Sequence, residues 1–268
     1  MYSSFSFSRL GKLITKQFFE NARLYTFSVM ALFGLLALVF AFWVAIGGRS
    51  YHEENTWMIF LAGLFLAGTV FASLSFNMLD TKDKGIYWLT LPATHFEKLV
   101  CTILYSTVFF TIVYCICFFI IKSLSVLFIL EYIKDKPTFT YTPMPDFSKG
   151  FGEVIPYFLY AFFAVQALYL LGAVYFRRYT FVITTVVGAV IIFAFAYYWT
   201  RIQKGMFDEG VSWNIISAQK NELGIFKGQY FLYSLSSTLT KTIKFMVFFA
   251  WAPLFWIVTW YRLKEKEV

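Results

Sequence analysis

Long uncharged stretches alternate with short charged ones along this chain. Five stretches lack Asp, Glu, Lys and Arg: Leu24 to Ile46, Asn55 to Leu79, Leu99 to Ile121, Val154 to Phe176 and Tyr179 to Thr200. Each meets or exceeds the roughly 20 helical residues that cross a hydrocarbon core of about 30 Å. A sixth, Phe245 to Tyr261, is shorter, but Lys244 and Arg262 at its ends can snorkel and extend it. Pro253 lies inside this last stretch and predicts a kink. Closed barrels show short alternating strands, so the expected fold class is all-α, a polytopic membrane protein of six transmembrane helices in a single membrane domain. The expected spans are 24–46, 55–76, 99–121, 154–176, 179–200 and 245–261. The first run is too long for a cleavable leader, and further spans follow it.

Two segments extend the pattern beyond the spans. Apolar character resumes after Lys122 and lasts through Leu130, which predicts one tilted or projecting third helix. The alternative is a helix pair broken at Lys122 and Ser123. Before the first span, Arg9, Lys12, Lys16, Glu20 and Arg23 recur every three or four residues, with Leu10, Leu13, Ile14, Phe18 and Ala22 to the other side. That spacing predicts an interfacial helix over 1–23, lying in the membrane plane before the chain turns into the first span.

The loops divide into two kinds. Residues 133–153, with Pro137, Pro143 and Gly150, read as irregular. Residues 201–243 contain a semi-apolar piece, Phe226 to Leu239, too polar for a span. It predicts a re-entrant or outer helix between spans 5 and 6, packed against the membrane domain.

Composition supports a membrane protein and charge orients it. Only 14% of residues are charged and 59% are hydrophobic, against about 25% charged in a soluble domain. With the N-terminus inside, residues 1–23, 80–98, 177–178 and 262–268 are cytoplasmic and hold more than half of the 23 basic residues. The turn between spans 4 and 5 is little more than Arg177 and Arg178. This is the positive-inside pattern, with both termini expected to be cytoplasmic. The net charge of +8 is therefore topological, and no basic stripe or motif points to nucleic acid.

Candidate chemistry is sparse. There is no phosphate loop, zinc-protease motif or nucleophile elbow, and no catalytic residue stands out. Cys101, Cys115 and Cys117 lie in one apolar run as lipid-facing or packing residues, and His95 reads as a surface residue. His52 beside Glu53 and Glu54 is a weak external metal candidate, and the expectation is no bound metal or cofactor. Gln166 is the main intramembrane polar residue and is expected to hydrogen-bond another helix. Tyr105 and Tyr114 read as packing residues. No buried acid suggests coupling to protons or sodium.

The polar connection from Asn77 to Lys98 carries the most information. Gly85 and Pro92 delimit a short helix-capable piece. Thr94, as N-cap, and Glu97, three residues later, form a T-x-x-E capping box that opens the third span. Leu91-Pro92-Ala93-Thr94 followed by Glu97-Lys98-Leu99 resembles the LP-[AVT]-[ST]-xx-E-[KR] turn of type-2 ABC exporter permeases, over about twelve residues of motif and the whole chain in layout. The ending Tyr261 to Lys266 is similar to that of small permease-like proteins of the Bacteroidetes.

The resemblance implies a cytoplasmic coupling segment over Thr81 to Leu91. Lys82, Lys84, Ile86, Tyr87 and Trp88 would meet a separate ATP-binding cassette ATPase, and Leu91, Pro92, Thr94 and Glu97 would shape the return. Arg9, Lys12 and Lys16 would lie near the same partner. It also implies a second permease chain, a homodimer or related pair, with ATP and magnesium held by the ATPase. The implied function is movement of an unidentified substrate by an ATP-driven exporter, without enzyme activity in this chain; the apolar pathway favours amphiphilic cargo or conformational force over small ions. A non-transporting accessory or sensor subunit is the alternative, and an intramembrane enzyme the next.

Overall fold

A computed structural model describes residues 5–46, 50–79, 82–135, 140–143, 155–176, 178–206, 211–213, 217–221, 230–234 and 236–266. The elements are α1 (Phe7–Ile46), β1 (Ser50–His52), α2 (Thr56–Leu74), α3 (Lys82–Thr90), α4 (His95–Ile103), α5 (Phe110–Asp135), β2 (Thr140–Thr142), α6 (Ile155–Tyr175) and α7 (Thr180–Met206). Strands β3 (Val211–Trp213), β4 (Ser217–Asn221) and β5 (Tyr230–Ser234) follow, then α8 (Ser237–Phe249) and α9 (Trp251–Glu265). Five helical stretches are long and apolar enough to cross a membrane: Phe7–Ile46, Glu53–Leu74, His95–Lys134, Ile155–Tyr175 and Thr180–Tyr198. A sixth crossing exists if α8 and α9, bent by 45°, form one broken span.

Helix α1 departs from expectation. Its 40 residues run without a break, so no turn at Arg23 separates an interfacial helix from the first span. At about 60 Å it is twice the hydrocarbon thickness. Its residues 9–25 meet Glu97 and Cys101 of α4, Tyr105 just beyond it, Tyr87 of α3 and Phe71 of α2.

The third span is one continuous helical run from α4 to α5. It passes Lys122 unbroken, in agreement with the projecting reading. An ion pair explains the tolerated charge: Lys122 Nζ lies 2.7 Å from the Glu53 carboxylate, which also accepts from the Tyr141 hydroxyl at 2.8 Å. Strand β1 pairs in parallel with β2, stacking Tyr51 on Tyr141 with ring centroids 6.1 Å apart. Residues 140–142 of the loop expected to be irregular are thus ordered by this pairing. Burial, then the nearby Glu53 and Tyr141, pushes the Tyr51 hydroxyl up to about 12. A π-helical segment, Leu104–Phe109, joins α4 to α5, and nothing in its sequence marks it.

Two further expectations are corrected beyond α7. Of the re-entrant or outer helix expected over Phe226 to Leu239, residues 226–229 and 235 lie outside the described residues, Tyr230–Ser234 form β5 of the antiparallel sheet β3-β4-β5, and helix begins at Ser237 with α8. Tyr230, Phe231 and Tyr233 are strand formers, and that preference outweighs any helical tendency there. The expected sixth span straddles a break: Ala250 ends α8 and opens α9. Pro253 has no N–H to give the Phe249 carbonyl, and its ring crowds that carbonyl, so the kink falls one turn before the proline.

Aromatic and aliphatic residues fill the interior. Leu36 and Phe40 of α1, Leu64 of α2, Tyr114, Phe118 and Ile121 of α5, and Phe162 of α6 form one cluster. Burying each such side chain stabilises by about 1.5–3 kcal/mol in water-transfer terms. Two α2 glycines permit the close approaches. The Tyr114 hydroxyl crosses Gly63 to donate to the Phe60 carbonyl at 2.9 Å, and Gln166 packs on Gly68.

Candidate functional site

The start of α1, helix α3, the α4 N-terminus, the α6–α7 turn and the end of α9 all gather at one end of the bundle. Leu99 of α4, Phe76 after α2, Ala173 and Val174 of α6, and Leu263 of α9 share a buried cluster, against which Trp88 of α3 packs. Arg262 lies 4.8 Å over the Tyr175 ring, tying α9 to α6. The opposite end carries β1, β2 and the Glu53–Lys122 pair.

The capping box forms as the sequence predicts. Glu97 N–H donates to Thr94 Oγ1 at 3.2 Å, and Thr94 N–H donates to Glu97 Oε2 at 2.8 Å. Leu91 precedes Pro92, which disfavours helix there and ends α3 at Thr90. Helix α3 starts at Lys82, so Gly85 lies inside the helix and does not delimit it. The side chains of Lys82 and Lys84, the residues Asp80 and Thr81, and Arg177 lie outside the described residues.

Sequence reasoning missed the second half of the Glu97 network. The carboxylate is fully buried and its Oε1 accepts from the Ser6 backbone N–H at 2.7 Å and from Arg9 Nη2 at 3.0 Å. Arg9 Nε donates to the same oxygen at 3.2 Å. Burial raises the carboxyl pKa, but the N–H groups of Thr94 and Ser6 and the Arg9 guanidinium bring it below the ordinary 4.5. One acid therefore caps α4 and anchors the beginning of α1.

A second tie lies nearby. The Tyr87 hydroxyl donates to Glu20 at 3.0 Å, and Lys16 sits 4.7 Å over the Tyr87 ring. Further along, Tyr105 donates to the Ile14 carbonyl at 2.8 Å and the Cys101 thiol to Gln17 at 3.2 Å. Lys98 is buried with its ammonium 5.0 Å over Trp88. The lone acid Glu20, one turn after Lys16 on a basic face, was the available sequence signal for the Tyr87 tie.

The expected contact residues divide by direction. Trp88 faces the bundle, while Ile86 and Tyr87 are exposed by 61% and 50%. Lys12 and Pro92 are exposed, and Arg9, Lys16, Leu91 and Thr94 are partly buried. Phe5, Phe7 and Phe96 make edge contacts beside the Arg9–Glu97 pair, at centroid separations of 4.9 and 5.7 Å. His95 is partly buried at the first position of α4.

Elsewhere the sites are plain. Among the described residues, no group of three His, Cys, Asp or Glu could hold a metal, and Glu53 of the His52 cluster is engaged by Lys122 and Tyr141. The three cysteines are free thiols. Gln166 is fully buried, but its amide has no hydrogen-bond partner among the described residues, contrary to expectation. Its neighbour across the seam is Gly68, which offers no side-chain partner. No family model, curated protein or solved structure matches this chain.

Proposed function

We propose that this chain is the membrane-spanning permease subunit of an ATP-driven exporter. In this reading, a separate ATP-binding cassette ATPase docks at the end of the bundle that carries Ile86 and Tyr87, and that end is cytoplasmic. The supporting observation is the Glu97 network. It joins the α3–α4 turn and the start of α1 into one body, so displacement of α3 is passed to two spanning helices at once. Trp88, seated on the cluster of Phe76, Leu99 and Leu263, carries the same displacement into α2, α4 and α9. Exposed Ile86 and Tyr87 give the partner an apolar and aromatic foothold on a short helix whose flanks are held. The chain works with a second permease chain, and six crossings result when α8 and α9 form one broken span.

The test is purification of the tagged chain from its native membrane. A stoichiometric ATPase without spans of its own, lost on Ile86→Asp with Tyr87→Ala, supports the proposal. Recovery of the chain without an ATPase contradicts it.

A further inference from the structure

The N-terminal half of α1 packs on one side. Leu10, Gln17 and Tyr25 face α4 and the segment after it, where the Cys101 thiol donates to Gln17 and Tyr25 stacks on Tyr105. Successive helical residues turn by about 100°, so Lys12, Phe19, Arg23, Phe27 and Met30 share an arc of about 80° on the other side. All five are exposed, Phe19 by 73%. Phe27 and Met30 belong to the charge-free stretch of the first crossing. The surface that meets lipid there continues, along one unbroken helix, into two cations and an aromatic ring. Among the described residues neither Lys12 nor Arg23 has an acidic partner. Glu20, the one acid of α1, is held by Lys16 and Tyr87.

Helix length decides where this face lies. At about 60 Å, α1 exceeds the roughly 40–45 Å of a bilayer with its headgroups. Projecting straight out would leave Phe7 and Phe18 in water as well as Phe19, although they are exposed by 81% and 51%. A tilt of about 40°, the upper end for membrane helices, shortens the projected length to about 46 Å and lays the N-terminal half in the headgroup layer.

We propose that this face of α1 binds anionic phospholipid, with Lys12 and Arg23 on the phosphates and the Phe19 ring between them against the upper acyl carbons. Charge selects the class. Two cations without a counter-charge favour an anionic headgroup over a zwitterionic one, whose own ammonium would lie beside them. The same pairing of exposed ring and exposed cation recurs at this end of the bundle, as Tyr179 beside Arg178 and as Tyr261 one turn before Lys264. Ile86 and Tyr87 of α3 stay free for another partner, and lipid binding does not depend on the permease reading.

The experiment uses the purified full chain without any ATPase, equilibrated with equal amounts of phosphatidylglycerol and phosphatidylcholine of matched acyl chains. Native mass spectrometry counts the lipids of each class retained on the intact protein. Wild type is expected to retain phosphatidylglycerol in preference. Lys12→Gln and Arg23→Gln should each lower that preference about fivefold, the equivalent of about 1 kcal/mol per cation. Phe19→Ser should lower retention of both lipids alike. Lys134→Gln, at the opposite end with its ammonium held by Glu131, should change neither. Equal retention of the two lipids by wild type, or a preference that survives the Lys12→Gln, Arg23→Gln double substitution, overturns the proposal. Loss of a co-purifying ATPase on that double substitution, with lipid preference intact, assigns the face to a protein partner and overturns it as well. Failure to find any ATPase would instead sink the permease reading and leave this result standing.

Discussion

Arg9 and Glu97 meet although 88 residues of chain separate them, with the guanidinium Nη2 3.0 Å from a carboxylate oxygen that is itself fully buried. Because Glu97 also caps α4 and accepts from the Ser6 N–H, loss of this one pair loosens the start of α1 without dismantling the turn.

Arg9→Ala should therefore destabilise locally. Glu97 keeps the Thr94 and Ser6 N–H groups, so the expected cost is about 1–3 kcal/mol. Hydrogen exchange should quicken over residues 6–14 and stay unchanged in α6. Uniform quickening across all helices would contradict this view of a local strap.

Acid should open the same strap. The latched Glu97 carboxyl titrates below its ordinary 4.5, so latching is fully favourable above that value and is lost as pH falls through the lower, latched pKa. Spin labels at Ser8 and Phe96 should report one narrow distance from neutral pH down to the ordinary carboxylate range and a broadened one below it. Glu97→Gln should remove the pH dependence. Broadening that starts at neutral pH would contradict the assignment.

Glycine substitutions should separate the α2–α6 seam from the lipid-facing surface. Gly68→Ala forces a methyl against Phe162, Phe110 and Gln166 and should cost about 1–3 kcal/mol. Gly34→Ala meets nothing within 4 Å and should be neutral or stabilising, by up to about 1 kcal/mol. Thermal unfolding in detergent compares the two, and equal shifts would refute the packing described for the seam.

What could be read from the sequence follows from the range of the forces involved. Hydropathy located the five long helices because the bilayer imposes a length on every crossing. Thr94 and Glu97 announced their capping box because an N-cap is satisfied within three residues. The Arg9–Glu97 pair was invisible, since each charge already had a local explanation, one in a basic helix face and the other in a cap. Glu53 likewise read as part of a weak metal candidate with His52 and Glu54 and gave no sign of Lys122. Strand β5 fell within a piece read as helix because aromatic residues mixed with Gly and Ser suit a strand as well as a membrane-edge helix. The break at Ala250 could have been placed better, for a proline disturbs the turn before it.

Under the proposed permease function, the turn from α3 to α4 couples an ATPase to the membrane helices. Thr94→Ala with Glu97→Ala removes both the cap and the anchor of α1, and loss of the Thr cap alone should cost about 0.5–2 kcal/mol. Losing the Glu97–Arg9 pair adds about 1–3 kcal/mol, and together the two losses loosen the turn. The decisive measurement is ATP hydrolysis and ATPase retention for the complex in nanodiscs, comparing wild type with this double substitution. The account predicts that the ATPase stays bound through Ile86 and Tyr87 while permease-dependent stimulation of hydrolysis is lost. Full stimulation with the ATPase still bound would contradict it and leave the turn a structural element alone.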